Sequence, residues 1–308
     1  MKKILILGGQ GFMGKNLNLV LDANTYQIIN ASRRTGCDAR NLDMLVNTIR
    51  DVAPDIIIMA AANVGSISYV SKYSADVVHD NTLMYVNLYR AVIEVDPGIQ
   101  IINPISNCSY PGVIDIQDEA CWWDGAIHES VEAYGTPKKM GFTISRCYQR
   151  QHGINTVNLI VPNAYGPHDY LDEERTHAMN GIIMRMIKSK MAGHTEFTVW
   201  GSGTPIREWV YMADVARLIA KIIANDVRDL PNPLNIGQQH GISINDSVDI
   251  IKQLLDYPVT IRHDVSKQDG APIKILGNGL FQQYFPDFDF TDYNTGITET
   301  INYYSKLL

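Results

Sequence analysis

The sequence predicts an α/β chain in which a doubly wound parallel sheet comes first and a smaller α/β unit follows. Three observations lead there. A glycine-rich turn joins the first apolar run to a helical pattern. Short apolar runs then alternate with helical patterns as far as residue 161, as parallel strands joined by crossover helices do. After Pro162 the alternation loosens, and Gly, Pro, Asp and aromatic residues interleave with shorter signals.

Residues 4–7, Ile-Leu-Ile-Leu, read as a buried first strand. The run is too short for a signal peptide and ends in glycines. Gly8-Gly9-Gln10-Gly11-Phe12-Met13-Gly14 follows, then helical spacing of Leu17, Leu19 and Val20. In a strand–turn–helix setting, such glycines let a pyrophosphate approach the backbone, where the N–H groups and dipole of a helix start favour negative charge. This is a Rossmann-type turn, and Gly8, Gly11, Phe12, Met13 and Gly14 are cofactor-binding candidates. The second strand covers 27–31 and leads into Ser32-Arg33-Arg34. A sheet that selects NAD places an acidic residue there to bond the ribose 2′-hydroxyl. Arg33 and Arg34 instead suit a 2′-phosphate, through forked, charge-assisted bonds. NADPH/NADP is therefore expected over NAD(H). Asp38 reads either as an acceptor for the adenine amino group or as a turn residue.

The third strand, 55–60, ends in Ala60, Ala61 and Ala62, small enough for a loop passing under a cofactor at the carboxyl edge of the sheet. A long helix is expected over 75–95 and a fourth strand over 98–102, leading to Ser106. The next helix carries Tyr134 and Lys138, and its Pro137 fits only a first turn. A fifth strand spans 154–161. Beyond it come a helix at 181–191, strands at 196–200 and 206–211, a helix at 214–225, mixed signals over 235–262 and a last helix at 294–306. The predicted division is a cofactor-binding unit of residues 1–163, to which 212–240 can return, and a substrate unit of residues 164–308.

Composition narrows the function. A net charge of −7 without a basic block argues against nucleic acid as a partner. No apolar run approaches the roughly 18 residues of a membrane span. Cys37, Cys108, Cys121 and Cys147 show no paired metal spacing and read as reduced thiols of a cytoplasmic protein, with no metal expected. The chemistry-bearing pattern is Ser106…Tyr134-x-x-x-Lys138. On a helix this spacing puts the phenol and the ammonium on one face, a turn apart. The ammonium favours the phenolate, so the phenol is expected to fall from its ordinary value of about 10 towards neutrality. With Ser106 holding a substrate oxygen, the set moves a proton on or off a sugar or alcohol oxygen.

With these residues in place, the chain resembles the extended short-chain dehydrogenase/reductases, and in particular their GDP-L-fucose synthases, which are GDP-4-keto-6-deoxymannose 3,5-epimerase/4-reductases. The resemblance runs nearly full length. It includes the glycine turn, residues 60–65, Ser106-Asn107-Cys108-Ser109-Tyr110-Pro111, the Tyr134/Lys138 pair, Asn163-Ala164-Tyr165-Gly166-Pro167-His168-Asp169, Thr176-His177, residues 199–208 and residues 266–270. It implies Ser106, Tyr134 and Lys138 as the reductase set, with hydride passing from NADPH to C4 of a 4-keto sugar and Lys138 also anchoring the nicotinamide ribose. It implies Cys108 as base and His177 as acid for inversion at C3 and C5, and adds Pro162 and Asn163 to the cofactor contacts. Arg207 is the first candidate for the diphosphate, because a guanidinium matches phosphate geometry. Lys267, Arg185, Asn107 and Asn163 are further substrate candidates. Trp200 packs on the sugar nucleotide or sits in a core, and Trp122 and Trp123 either wall the sugar pocket or plug a loop. A homodimer is implied. The chain departs from the resemblance at Asn107, at Ile273 (leaving Lys274 as the basic residue of that segment) and in the acidic stretch 170–176. These departures leave the sugar and base open. A 4-ketoreductase without epimerase activity and an NAD-dependent nucleotide-sugar 4-epimerase are the alternatives.

Overall fold

The computed structural model describes residues 1–226 and 230–308. In its first part β1 (Lys2–Leu7), α1 (Phe12–Val20), β2 (Tyr26–Ala31), α2 (Leu42–Val52), β3 (Ile56–Met59), α3 (Ile67–Lys72), α4 (Ser74–Val95), β4 (Gln100–Ser106), α5 (Glu132–His152) and β5 (Thr156–Val161) follow one another. Then come β6 (Asn163–Tyr165), α6 (Ala178–Met191), β7 (Glu196–Trp200), β8 (Ile206–Arg207), β9 (Trp209–Tyr211), α7 (Met212–Ala224) and β10 (Leu234–Asn235). The chain closes with β11 (Ile242–Ser243), α8 (Ile244–Leu254), β12 (Thr260–Asp264), β13 (Ile273–Lys274), α9 (Gly279–Tyr284) and α10 (Tyr293–Ser305).

The main sheet is parallel throughout, in the order β2-β1-β3-β4-β5-β10. The chain leaves β1 towards β2 on one side and runs from β3 to β5 on the other. The β1/β3 gap is therefore the switch point, and ligands collect at its carboxyl end. Side chains of β1 alternate between two cores. Ile4 and Ile6 pack with Leu17 of α1 and with Val215 and Ile219 of α7, whereas Leu5 and Leu7 pack with Leu45 of α2 and Leu88 of α4. Because both faces are covered, the strands read as continuous apolar runs instead of apolar–polar alternation. A third core gathers Met179 and Ile183 of α6, Trp209 of β9, Ile251 of α8 and Tyr304 of α10. Among the described residues no helix is long and apolar enough to cross a membrane.

Among the differences from the sequence reading, three bear on how the chain is laid out. The periodicity names no helix between the second and third strands, yet α2 lies there. It is capped by Asn41, whose side chain accepts from Met44 N, and it buries Leu45, Val46 and Ile49. The strand expected at 206–211 divides at Glu208, so β8 pairs with β11 and β13 while β9 pairs with β6. The fully buried Glu208 carboxylate accepts from Gln238 N at 2.5 Å and Leu276 N at 2.6 Å, and burial raises its pKa to about 7. Finally, Pro137 lies past the first turn of α5 and is tolerated there, the helix running on to His152. The loss is one intrahelical hydrogen bond.

Candidate active site

A cavity of about 1370 Å³ opens along the carboxyl edge of the sheet. It exceeds the roughly 300–1,000 Å³ of a pocket for one small molecule, leaving room for a dinucleotide and a second large ligand. Gly8 shapes one end. It is left-handed (φ +86), and a Cβ there would lie 2.7 Å from Ala61 N, so the turn after β1 rests directly on the loop after β3. A Cβ on Gly11 would meet only Gly8 O, at 3.2 Å, and no side chain caps α1. The start of α1 therefore keeps its N–H groups for a ligand phosphate. Met13, Ala60, Ala61, Ala62, Pro162 and Asn163 all line the cavity. Phe12 also lines it, with its ring 5.2 Å from that of His177.

Arg33 and Arg34 face the same cavity from a 3-10 turn after β2 and form no ion pair among the described residues. Asp38 is held by Arg40, whose Nη2 lies 2.7 Å from its Oδ2, and Arg40 is held in turn by Asp80 at 2.9 Å. The hydrogen bond from Arg40 lowers the Asp38 pKa. With Arg40 neutralised by Asp38 and Asp80, Arg33 and Arg34 make the cationic wall where a 2′-phosphate would sit, and the site fits a phosphorylated dinucleotide.

Further along, β4 runs past its expected end and delivers Ser106, whose Oγ accepts from Cys108 N at 3.2 Å. Helix α5 lies directly on this turn, since a Cβ at Gly135 would sit 2.3 Å from Cys108 O. That contact brings Tyr134 near Cys108, in the cavity that Ser106 also lines. Lys138 is buried, with Nζ 5.5 Å from the centre of the Tyr134 ring. The expected lowering of the phenol pKa does not follow. Burial pushes Tyr134 up, Lys138 pulls it down, and the nearby Cys108 and Tyr85 push it up again; the net shift is upward. Tyr134 is thus held protonated, the state from which it can give a proton.

Cys108 and His177 face the cavity from different elements. Burial disfavours the Cys108 thiolate, but Lys274 Nζ lies 3.2 Å from Sγ, and with Ser106 and Arg207 it brings the thiol pKa below its usual value. His177 shows the converse. Burial disfavours the imidazolium, but Asp169 Oδ2 lies 3.0 Å from Nδ1, and this carboxylate, helped by Cys108, raises the His177 pKa. Asp169 stays ionised, held to about 2 against its burial mainly by His177.

The remaining candidates fall into two groups. Arg207, 7% exposed, lines the cavity near Cys108 and Asp269, and burial lowers its pKa to about 10. Trp200, Arg185 and Lys267 form the rim: the Arg185 guanidinium stacks 4.2 Å from the Trp200 ring and Lys267 Nζ lies 6.0 Å from it. Asn107 is buried beside Cys108, and Asn163 Nδ2 donates to Glu208 O at 3.1 Å. The adjacent tryptophans do not wall the cavity. Trp122 is fully buried, donating to Ser109 Oγ at 2.9 Å, and Trp123 is half exposed beside it. Sequence reasoning assigns no role to Lys274, Asp169 or Tyr85. Asp169 stands inside the Asn163–Asp169 motif, Lys274 is only the basic residue of the segment that departs at Ile273, and Tyr85 carries no signal beyond its place on the buried face of a helix.

A doubly wound sheet with this glycine turn binds dinucleotides, and the chain belongs to the extended short-chain dehydrogenase/reductases. Within that class the chain belongs to the NAD dependent epimerase/dehydratase family, whose model matches residues 4–237. It is 25% identical to a GDP-L-fucose synthase of Dictyostelium discoideum, over 98% of this chain and 95% of the relative. It is 27% identical to a GDP-L-colitose synthase of Yersinia pseudotuberculosis, over 98% and 97%. A crystal structure of a GDP-L-fucose synthetase from Naegleria fowleri bound to NADP superposes with a TM-score of 0.84 at 25% identity, covering 99% of this chain and 94% of that one.

Proposed function

We propose that this chain is an NADPH-dependent 3,5-epimerase/4-reductase of a GDP-linked 4-keto-deoxy sugar. The observation that carries the reading is the meeting, in one cavity, of a protonated phenol beside a buried ammonium with a cation-paired thiol and a carboxylate-paired imidazole. The relatives that span nearly the whole chain make, by their names, GDP-linked sugars.

NADPH, when bound at the turn after β1 and at Arg33 and Arg34, supplies the hydride that reduces the ketone at C4. The C4 ketone acidifies the hydrogens at C3 and C5. The Cys108 thiolate takes such a proton, leaving an enolate whose charge rests on the C4 oxygen. His177 delivers a proton to the opposite face, and the carbon inverts. Ser106 donates a hydrogen bond to the C4 oxygen, and the Tyr134 phenol protonates it as the alkoxide forms. Lys138 favours the phenolate left behind. Arg207 takes the diphosphate of the substrate, with Arg185, Lys267 and Trp200 at the nucleotide end and Asn107 and Asn163 beside the sugar.

We further propose the division into a cofactor unit of residues 1–163, joined by 212–240, and a substrate unit of residues 164–308. A cytoplasmic homodimer paired through the long helices α4 and α5 belongs to the same reading, and light scattering tests it. The function itself is tested with GDP-4-keto-6-deoxymannose, NADPH and purified protein in deuterium oxide. NADPH oxidation with deuterium at C3 and C5 of the product is the expected result. Oxidation without label reduces the reading to a 4-ketoreductase. A protein purified with NAD bound and consuming no NADPH overturns it in favour of a 4-epimerase.

A further inference from the structure

Lys138 is 3% exposed, so its ammonium needs acceptors inside the protein. Tyr85 of α4 supplies one, its Oη accepting from Nζ at 3.0 Å. Burial keeps Tyr85 protonated far above the usual phenol range, and its hydrogen is committed to Asn103 Oδ1, 3.1 Å away. Asn103 Nδ2 donates to Asn158 Oδ1 at 2.7 Å, and Asn158 Nδ2 donates to Ser145 Oγ at 3.0 Å and Asn232 Oδ1 at 2.8 Å. Each donor in the series points away from the lysine, so each link turns an acceptor towards it, and such chains polarise one another.

The placement has a cost that packing alone does not explain. Asn103 and Asn158 are fully buried and directly paired across β4 and β5, among Ile102, Ile105, Leu159 and Ile160. Amides at the centre of an apolar sheet are tolerated only when bonded. The neighbouring helix is shaped to admit the tyrosine: a Cβ at Gly141 of α5 would lie 2.8 Å from the Tyr85 ring. A glycine inside a helix weakens it, and here it makes room for that ring about one turn after Lys138.

We propose that Tyr85, backed by the Asn103–Asn158 pair, is a positioning residue that holds the Lys138 ammonium at the Tyr134 phenol and so serves ketone reduction but not epimerisation. The proposal rests on reading Tyr134 as the proton donor. The groups facing that phenol are Lys138 from its own helix, Cys108 from the turn after β4, and Tyr85 from α4.

Tyr85→Phe keeps the ring against Gly141 and removes the oxygen. The kcat for reduction should fall by about 10-fold or more, as when a hydrogen bond to a charged group is lost, while deuterium exchange at C3 and C5 is retained. Reduction needs the protonated phenol and is lost as pH rises through its pKa. Tyr85 itself is kept neutral by burial in this range, so its own upward push on Tyr134 is small beside the hold of the ammonium; with the ammonium less well held, that limb should move to higher pH. Ser145→Ala breaks the far end of the series and should lower the melting temperature without moving the limb. Asn103→Ala leaves the Tyr85 oxygen but frees its hydrogen, so it should move the limb the same way by less; it stands in if Tyr85→Phe does not fold. A substrate-free readout separates this proposal from the functional reading: the ionisation of Tyr134 by fluorine NMR of fluorotyrosine-labelled protein, assigned with Tyr134→Phe. An upward shift in Tyr85→Phe supports the positioning role even in a protein that turns over no sugar. An unmoved titration, or a wild-type kcat and pH limb, overturns it.

Discussion

Ser106 and Cys108 share one turn yet belong to different ends of the site. With Ser106 go Tyr134 and Lys138, from the helix lying on the end of β4. With Cys108 goes Lys274, 166 positions away, while His177 is met by Asp169 from the loop before α6. The first end works by burial, which holds the phenol protonated against one cation. The second works by charge, and there the ordinary values would be wrong. A thiol near 8.5 and an imidazole near 6.5 are mostly thiol and neutral imidazole at pH 7, whereas a base and an acid are needed. Lys274 and Asp169 push the two groups towards thiolate and imidazolium. On the proposed reading, one cavity prepares one acid by desolvation and a base–acid pair by opposite charges.

The comparison breaks most visibly at Tyr134. Tyr134→Phe should cut reduction by about 10²–10⁴-fold, the usual worth of a positioned acid, while exchange at C3 and C5 continues in the presence of oxidised cofactor. Loss of both activities together would mean that the two ends are not separable. Cys108→Ser is the complementary variant. Exchange should fall by about 10²-fold or more, and NADPH oxidation with a 4-keto sugar that needs no inversion should persist. Mass spectrometry of the product in deuterium oxide checks both.

Lys274→Met sharpens the contrast by removing a charge while keeping the length of the chain. Without the cation, burial governs Cys108 and its pKa rises. The thiolate is present only above that pKa, so the acid limb of exchange should move to higher pH. Exchange at neutral pH falls about tenfold for each unit moved. The pH dependence of Cys108 alkylation, followed by peptide mass spectrometry, reports the same shift without turnover. An unmoved profile would leave the lysine with no part in activating the thiol.

The two ends also differ in how far the sequence discloses them. Glycines at a fixed spacing after a first strand, and a tyrosine and lysine one helical turn apart, are local patterns, and they place the turn, the sheet and the reductive end. The direction of the Tyr134 shift is not local, because it depends on burial in the folded chain and on Cys108 and Tyr85 from other elements. Lys274 and Asp169 belong to segments whose approach to Cys108 and His177 is decided by the folded chain, so no spacing announces them. The division of 206–211 at Glu208 is similar: an unbroken β-like run changes sheets because a buried carboxylate takes two backbone N–H groups from elsewhere.

Asp169→Asn tests the charge at the second end with the least disturbance. In the native chain Asp169 Oδ2 accepts from Thr176 Oγ1, His177 N, His177 Nδ1 and Asn180 Nδ2, while Oδ1 is buried without a partner among the described residues. An asparagine can keep its oxygen at the crowded position and turn its amide nitrogen to the unpartnered one. The scaffold then survives at a cost of about 1–3 kcal/mol, because a charge-assisted set becomes neutral and the buried amide hydrogens meet no acceptor. His177 loses the carboxylate that raises its pKa, so the value falls. The acid form exists only below that pKa, and the alkaline limb of exchange should move to lower pH. The alkaline limb of reduction, set by Tyr134, should stay where it is. If both limbs move together, one titration governs both steps, and the separation of the two ends fails.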